Sequence, residues 1–266
     1  MDFADYFNRI GLQRPQGVTR DTLAALQFAQ RAAIPFENID VLLGRGISTE
    51  PAAIFTKLVT QRRGGYCFEQ NQLLAGALTE LGVAHRLVLA RVWLGATEMP
   101  AHTHLAVVAE MAGQAWLLDA GFGGGYCPPL PLVTGSVASD GEGARYHLHH
   151  DPGIGWILDR EANGSLVRQY SFTLAEVFPA DIRLCNHWTS THKASRFTQL
   201  LVVNRVTAAG RLGLTGGDFV RVADGRSTHA SITRDRLGPL LADEFGLELD
   251  PADTAALARF VEAVNA

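Results

Sequence analysis

Arg62-Arg63-Gly64-Gly65-Tyr66-Cys67-Phe68-Glu69-Gln70-Asn71 joins two runs of helical pattern in this chain. The two glycines free the backbone for a tight turn. Cys67 then opens an amphipathic run to about Leu81, with Leu74, Leu78 and Leu81 on one side and Gly82 as its stop. A cysteine in the first turn of a helix meets unpaired backbone N–H groups and the positive helix end. Both favour the thiolate, which is the nucleophilic form. The same position suits a small inert core residue equally well, because free cysteines are commonly buried.

Upstream, three further helices are expected. Phe3, Tyr6, Phe7 and Ile10 fall on one helical face. Asp21 caps a second helix carrying Leu23, Leu26 and Ala29, which stops before Pro35. A third opens near Pro51, carries Ile54, Phe55, Leu58 and Val59, and ends at Gly64-Gly65. Downstream of Gly82 the period shortens. Strand-like runs cover 84–94, 102–109 and 115–120, the last two forming a hairpin around Ala112-Gly113. More follow at 144–150, 155–159, 166–172, 198–206, 218–222 and 228–233, with loops at 121–129 and 135–143. Helix returns at 234–245 and 252–264. Helices first, then antiparallel strands, then a mixture, argue an α+β fold and not a doubly wound sheet.

The chain has 266 residues, 47% hydrophobic and 19% charged, enough apolar side chain for a core and too much for wholesale disorder. No apolar run approaches the roughly 20 residues of a membrane span. The acidic start, Met1-Asp2-Phe3-Ala4-Asp5, argues against a secretory signal. Net charge is −4 and no basic run is dense enough for nucleic acid. The three cysteines, Cys67, Cys127 and Cys185, are too few for a disulfide framework, and none are paired at CxxC spacing. A cytoplasmic protein with reduced thiols is the reading that fits.

A nucleophilic cysteine needs an imidazole to take its proton and a carboxylate to hold that imidazole. His102 and His104 share a strand and, being two apart, are expected on one face. Asp119 closes the next strand. His104 and Asp119 are opposite if the turn centres between Met111 and Ala112; His102 needs a centre further from Ala112-Gly113. His104 is therefore the favoured base and His102 a partly exposed strand histidine. An acid in an otherwise apolar strand is costly unless paired, which fits Asp119 to an imidazole.

With those residues in place, the chain resembles the arylamine N-acetyltransferase family. Arg63 to Asn71 is similar to the family's nucleophile segment, and Ile34-Pro35-Phe36-Glu37-Asn38 to its upstream signature. His104 with its apolar strand, and Leu118-Asp119-Ala120-Gly121-Phe122-Gly123-Gly124, resemble its histidine and aspartate segments, with Ala120 where Val is usual. Asn186, Ser190, Thr191-His192, Ser195 and Phe197 resemble a weaker downstream pattern. The resemblance implies three parts: a helical bundle over 1–83 with the nucleophile, a central antiparallel β-barrel over 84–185 with His and Asp, and an α/β lid over 186–266. It implies a cysteine-protease-like triad of Cys67, His104 and Asp119, acetyl-coenzyme A as donor, and a small arylamine or hydrazine acceptor among Phe36, Phe122, Gly123 and Phe197. No metal, nucleic acid or membrane partner is expected.

Other readings stay open on sequence. The same triad serves a hydrolase, or an amide synthase closing a macrolactam, and a fold that lost catalysis would be a binding protein. The 121–125 glycines read either as a loop admitting pantetheine or acceptor, or as a plain strand-ending turn. Arg62-Arg63 either draws in coenzyme A phosphates or makes structural bonds. His147, His149 and His150 sit in a plain strand without a nearby Cys, which disfavours a metal. Cys127 and Cys185 read as incidental.

Overall fold

The computed structural model describes residues 1–262. Its first part is helical: α1 Phe3–Ile10, α2 Arg20–Ala33, a short strand β1 Phe36–Glu37, α3 Ile39–Leu42, α4 Pro51–Phe55 and α5 Cys67–Glu80. Thr19, not Asp21, caps α2: its Oγ1 accepts the Thr22 N–H at 3.2 Å, and Asp21 lies within the first turn. The helix expected from Pro51 to Gly64 widens into a π-helical turn over Thr56–Thr60 and ends there. Tyr6, Phe7, Leu23, Leu26, Leu58, Leu74 and Leu78 pack together with Val107 and Leu118 from the following strands.

Those strands are β2 His85–Val92, β3 His102–Met111, β4 Gln114–Leu118, β5 Leu130–Pro131, β6 Ser136–Ser139, β7 Arg145–Asp151, β8 Gly155–Ala162 and β9 Ser165–Phe172. They form one antiparallel sheet in the order β5-β4-β3-β2-β9-β8-β7-β6. Its two end strands meet, so the sheet is a nearly closed barrel. Val88, Ala106, Tyr146, Leu148, Leu158, Tyr170 and Phe172 fill the interior.

The chain then runs through α6 Pro179–Thr191 and a 3₁₀ turn, Arg196–Thr198, into β10 Val202–Thr207, β11 Gly210–Thr215, β12 Asp218–Ala223 and β13 Arg226–Ser231. These four and β1 make a second antiparallel sheet, β1-β10-β11-β12-β13, covered by α7 Arg234–Phe245 and α8 Pro251–Glu262. The expected helix over 252–264 extends beyond the described residues at 263 and 264. Residue 185, where the barrel and lid were divided, lies inside α6, and residues 36–37 belong to the second sheet.

Several elements differ from expectation. No helix was anticipated at 179–191, although Pro179 opens it and Asp181 accepts the Phe178 N–H at 2.9 Å. β6 replaces part of the loop expected over 135–143. β11, Gly-Arg-Leu-Gly-Leu-Thr, was hidden by its two glycines, which depress strand propensity. Among the described residues no helix is long and apolar enough to cross a membrane.

Candidate active site

Cys67 is the first residue of α5 and is buried where the helices, the barrel and the second sheet meet, among Phe36, Tyr66, Phe68, Leu105, Ile182 and Val202. The preceding glycines are required by space. Neither has a positive φ; the left-handed residue of this turn is Arg62. A Cβ on Gly64 would collide with the Pro35 carbonyl, and one on Gly65 would stand 2.6 Å from the Glu69 carboxylate. Glu69 in turn accepts the Tyr66 N–H at 3.1 Å, which fixes the start of α5.

Beneath this turn, Lys57 Nζ bonds Asp40 at 2.7 Å and Glu69 at 2.8 Å, while Arg63 bonds Glu37 at 3.1 Å and Asp40 at 3.2 Å. Arg63 is thereby committed to structural bonds. Burial raises the Glu69 pKa to about 7, against the opposing pull of Lys57. Lys57→Met leaves the buried Glu69 without its cation, while Asp40 keeps Arg63, and is expected to cost about 3–5 kcal/mol of stability. The raised acid fixes the sign of the pH dependence. The deficit in melting temperature is expected to be smaller at pH 5, where Glu69 carries a proton, than at pH 8, where it must ionise without its cation. An equal deficit at both pH values would show that Glu69 does not feel Lys57.

His104 Nε2 lies 2.7 Å from Asp119 Oδ2, and both side chains are 3% exposed. Asp119 Oδ1 accepts from Asn71 Nδ2 and from the Gly121 N–H, each at 2.9 Å. The hairpin register differs from the one used to choose His104. Met111 pairs with Gln114 across a two-residue turn, Ala112-Gly113, with both φ positive. His104 and Asp119 are therefore diagonal neighbours, still within side-chain reach.

His102 and His104 do not share a face. Ala90 pairs with His104 and Arg91 with His102, so Thr103 is an extra residue bulging from β3. The bulge turns His102 to another cavity, with Leu89 and Cys185, and frees the Thr103 carbonyl to meet Cys67 Sγ at 3.7 Å. His102→Gln is thus expected to leave alkylation of the Cys67 thiol near neutral pH within a few-fold of the parent, while His104→Gln slows it far more. Iodoacetamide inactivation rates of both variants check this; equal losses would contradict the separation by the bulge.

With Asp119 on Nε2, Nδ1 is the ring nitrogen of His104 left to interact with the Cys67 side chain. Burial alone would lower the His104 pKa; the Asp119 carboxylate and then Cys67 outweigh it and raise it to about 10. Burial likewise works to raise Asp119, and His104, Asn71 and the Gly121 N–H bring it below the ordinary carboxylate value. The pair is thus built to hold an imidazolium beside a carboxylate. Phe122 and Tyr170 enclose the His104 ring, with centroids at 5.2 and 5.0 Å.

A cavity of about 280 Å³ opens over these groups. Phe36, Cys67, His104 and Gly121 form its buried floor, and Phe122, Gly123 and Phe197 its walls. Leu94, Trp188 and Arg196 are exposed at its mouth. The 121–125 glycines have no positive φ; each abuts protein. A Cβ on Gly121 would lie 2.7 Å from the Cys67 Cα, and one on Gly123 2.8 Å from the Phe36 ring.

Sequence reasoning assigned no role to Asn71, Gln27 or Tyr170. Asn71 carried a signal, since it follows Cys67 by four residues on one helical face. Gln27, whose Oε1 accepts the Asp119 N–H at 2.8 Å, and Tyr170 carried none. Elsewhere, His147 bonds Glu161 at 2.8 Å and His150 packs on Trp156. Among the described residues no group of three or more His, Cys, Asp or Glu side chains could hold a metal ion.

A helix-borne cysteine, a strand-borne histidine and a loop aspartate meet beside an apolar cavity. The N-acetyltransferase family profile matches residues 19–254. The arylamine N-acetyltransferase of Escherichia coli is 34% identical over 252 residues, covering 93% of this chain and 89% of that one. The solved arylamine N-acetyltransferase of Salmonella typhimurium superposes with a TM-score of 0.90 at 33% identity, covering 98% of both chains. That of Mycobacterium marinum in complex with CoA superposes at 0.89 with 30% identity, covering 99% of both. This chain belongs to the arylamine N-acetyltransferases, a family of acyltransferase enzymes.

Proposed function

We propose that this enzyme transfers acetyl groups from acetyl-coenzyme A to arylamines and hydrazines through an acetyl-Cys67 thioester. The observation that carries the reading is the His104–Asp119 contact of 2.7 Å at the foot of a cavity shared with Cys67. A family member in complex with CoA supports the donor.

In the first half-reaction Cys67, its proton passed to His104 Nδ1, attacks the thioester carbonyl. The C–S bond to coenzyme A breaks, and the leaving thiolate takes that proton. In the second, the amine nitrogen attacks acetyl-Cys67, gives its proton to His104, and the amide leaves as Cys67 departs and is reprotonated. Asp119 holds the imidazole in the tautomer that aims Nδ1 at sulfur. The Cys67 backbone N–H, at the helix end, is a donor for the tetrahedral oxyanion.

The apolar lining, Phe36 in the floor with Phe122 and Phe197 in the walls, selects the acceptor. An arylamine is largely neutral at pH 7 and enters such a cavity uncharged, whereas an alkylammonium must first lose both a proton and its hydration. The same walls exclude water, which otherwise hydrolyses the thioester. Intact mass after incubation with acetyl-coenzyme A alone tests the reading. One persistent acetyl group on the Cys67 peptide is expected, released on adding an arylamine. Rapid turnover without amine would make the protein a hydrolase, and no adduct would exclude the thioester route.

A further inference from the structure

Arg31 lies in the last turn of α2 and is 2% exposed. A guanidinium at that depth is costly unless a carboxylate pairs with it. Its Nη2 instead donates to the neutral Asn204 Oδ1 at 3.2 Å, and its Nη1 has no hydrogen-bond partner. Asn204 Nδ2 passes the link on to the Gly123 carbonyl at 2.8 Å. The negative end of a helix favours a cation, but it does so equally for an exposed one and does not explain the burial.

The neighbours of Arg31 explain it better. Gln27 sits one turn earlier on the same face of α2. Its Oε1 accepts the Asp119 N–H at 2.8 Å and its Nε2 donates to the Cys127 carbonyl at 2.7 Å. That face of α2 therefore lies against the segment 119–127. Burial works to lower the Arg31 pKa, and among the groups that oppose it Asp119 comes first, ahead of the Tyr126 and Tyr146 side chains.

In the acetylated enzyme Cys67 is a neutral thioester, so Asp119 and Arg31 are the charges left beside His104. His104 must then be neutral to accept the proton of the amine, and Asp119 by itself works against that. We propose that Arg31 is a positioning residue that offsets the Asp119 charge in the acetylated enzyme, leaving His104 neutral to receive the amine proton. This rests on the thioester reading given above.

Other groups facing the pair do not supply the balance. Tyr170 faces His104 and Asp119, Cys127 faces Asp119, and Tyr126 and Tyr146 face Arg31; burial pushes all four pKa values up, so they stay neutral. Asn71 and the Gly121 N–H, which bond Asp119, do not titrate.

The test uses enzyme acetylated with acetyl-coenzyme A, then mixed with 4-chloroaniline at pH values from about 5 to 9. Loss of the acetyl adduct is followed by quenched-flow mass spectrometry. In Arg31→Met, the acid limb of this second half-reaction is expected to move up by about one pH unit, with a roughly tenfold loss at pH 6 that recovers at high pH. Arg31→Lys keeps the parent limb. Asn204→Asp sets a carboxylate against the guanidinium and is expected to move the limb upward as well. Limbs unmoved in Arg31→Met and Asn204→Asp, with uniformly lower plateaus, would overturn the proposal and leave Arg31 a structural bond. If Arg31→Met does not fold, Asn204→Asp decides alone by the same criterion. Failure of the parent to form any acetyl adduct overturns the thioester reading instead, before a variant is made.

Discussion

Asp119→Asn is expected to lower acetyl transfer by three to four orders of magnitude, on the scale known for triads that lose their carboxylate. The substitution preserves shape, and Oδ1 still accepts from Asn71 and Gly121, whose donors meet Asp119 at 2.9 Å. The charge that holds the His104 proton is lost. With it gone, burial, which lowers the His104 pKa, prevails and the imidazole is neutral near pH 7. With its oxygen held by Asn71 and Gly121, the amide turns its NH2 donor to Nε2, which selects the wrong tautomer. Iodoacetamide inactivation near pH 6 is expected to slow in parallel, because the imidazolium beside the thiol is missing.

Stability carries the same signature. The Asp119 pKa is depressed, so its contribution is present above the ordinary 3.8 and is lost as pH falls through the folded value. The His104 pKa is raised, so its contribution is complete below 6.5 and fades as pH rises toward about 10. Asp119→Asn is thus expected to lower the melting temperature most between about pH 4 and 6.5, with the difference from the parent shrinking at higher pH. A parent-like rate, or a melting difference independent of pH across this range, would dissolve the pair as drawn.

What sequence reveals here follows from how local each signal is. The helix opened by Cys67 is written in its own glycines and leucines. The hairpin carrying His104 and Asp119 is written in Ala112-Gly113. The closeness of His104 to Asp119 was anticipated through a register wrong by one step in its turn centre, and it survived because diagonal neighbours in a sheet also touch. The Thr103 bulge had no local mark; it arises from pairing with β2, and only that pairing shows His102 facing away. Phe36 joins the site because β1 pairs with β10, with Phe36 opposite Asn204, a contact between residues 168 positions apart. α6 was missed for another reason: its last turn, Thr-Ser-Thr, favours non-helical bonds, yet Ser190 and Thr191 bond back to carbonyls of their own helix.

Cys67→Ser is expected to abolish both the acetyl adduct and the transfer, a loss of at least about 10³-fold, while the fold is retained. Oxygen is close in size, so the packing among Phe36, Tyr66 and Leu105 survives. The chemistry does not. A serine hydroxyl gives up its proton to His104 far less readily than a thiol. Any oxygen ester that did form would resist a weakly nucleophilic arylamine, because an alkoxide leaves much less readily than a thiolate. The other two thiols cannot substitute. Burial, followed by Asp119 and Asp140, pushes the Cys127 pKa up, and burial with Asp181 does the same for Cys185, which lines the cavity that holds His102. Cys127→Ala and Cys185→Ala are therefore expected to keep most of the activity, and in the parent acetyl-coenzyme A is expected to label the Cys67 peptide alone. Acetyl found on Cys127 or Cys185, or persistent turnover in Cys67→Ser, would move the nucleophile elsewhere and leave His104 and Asp119 as a buried pair without a reaction to serve.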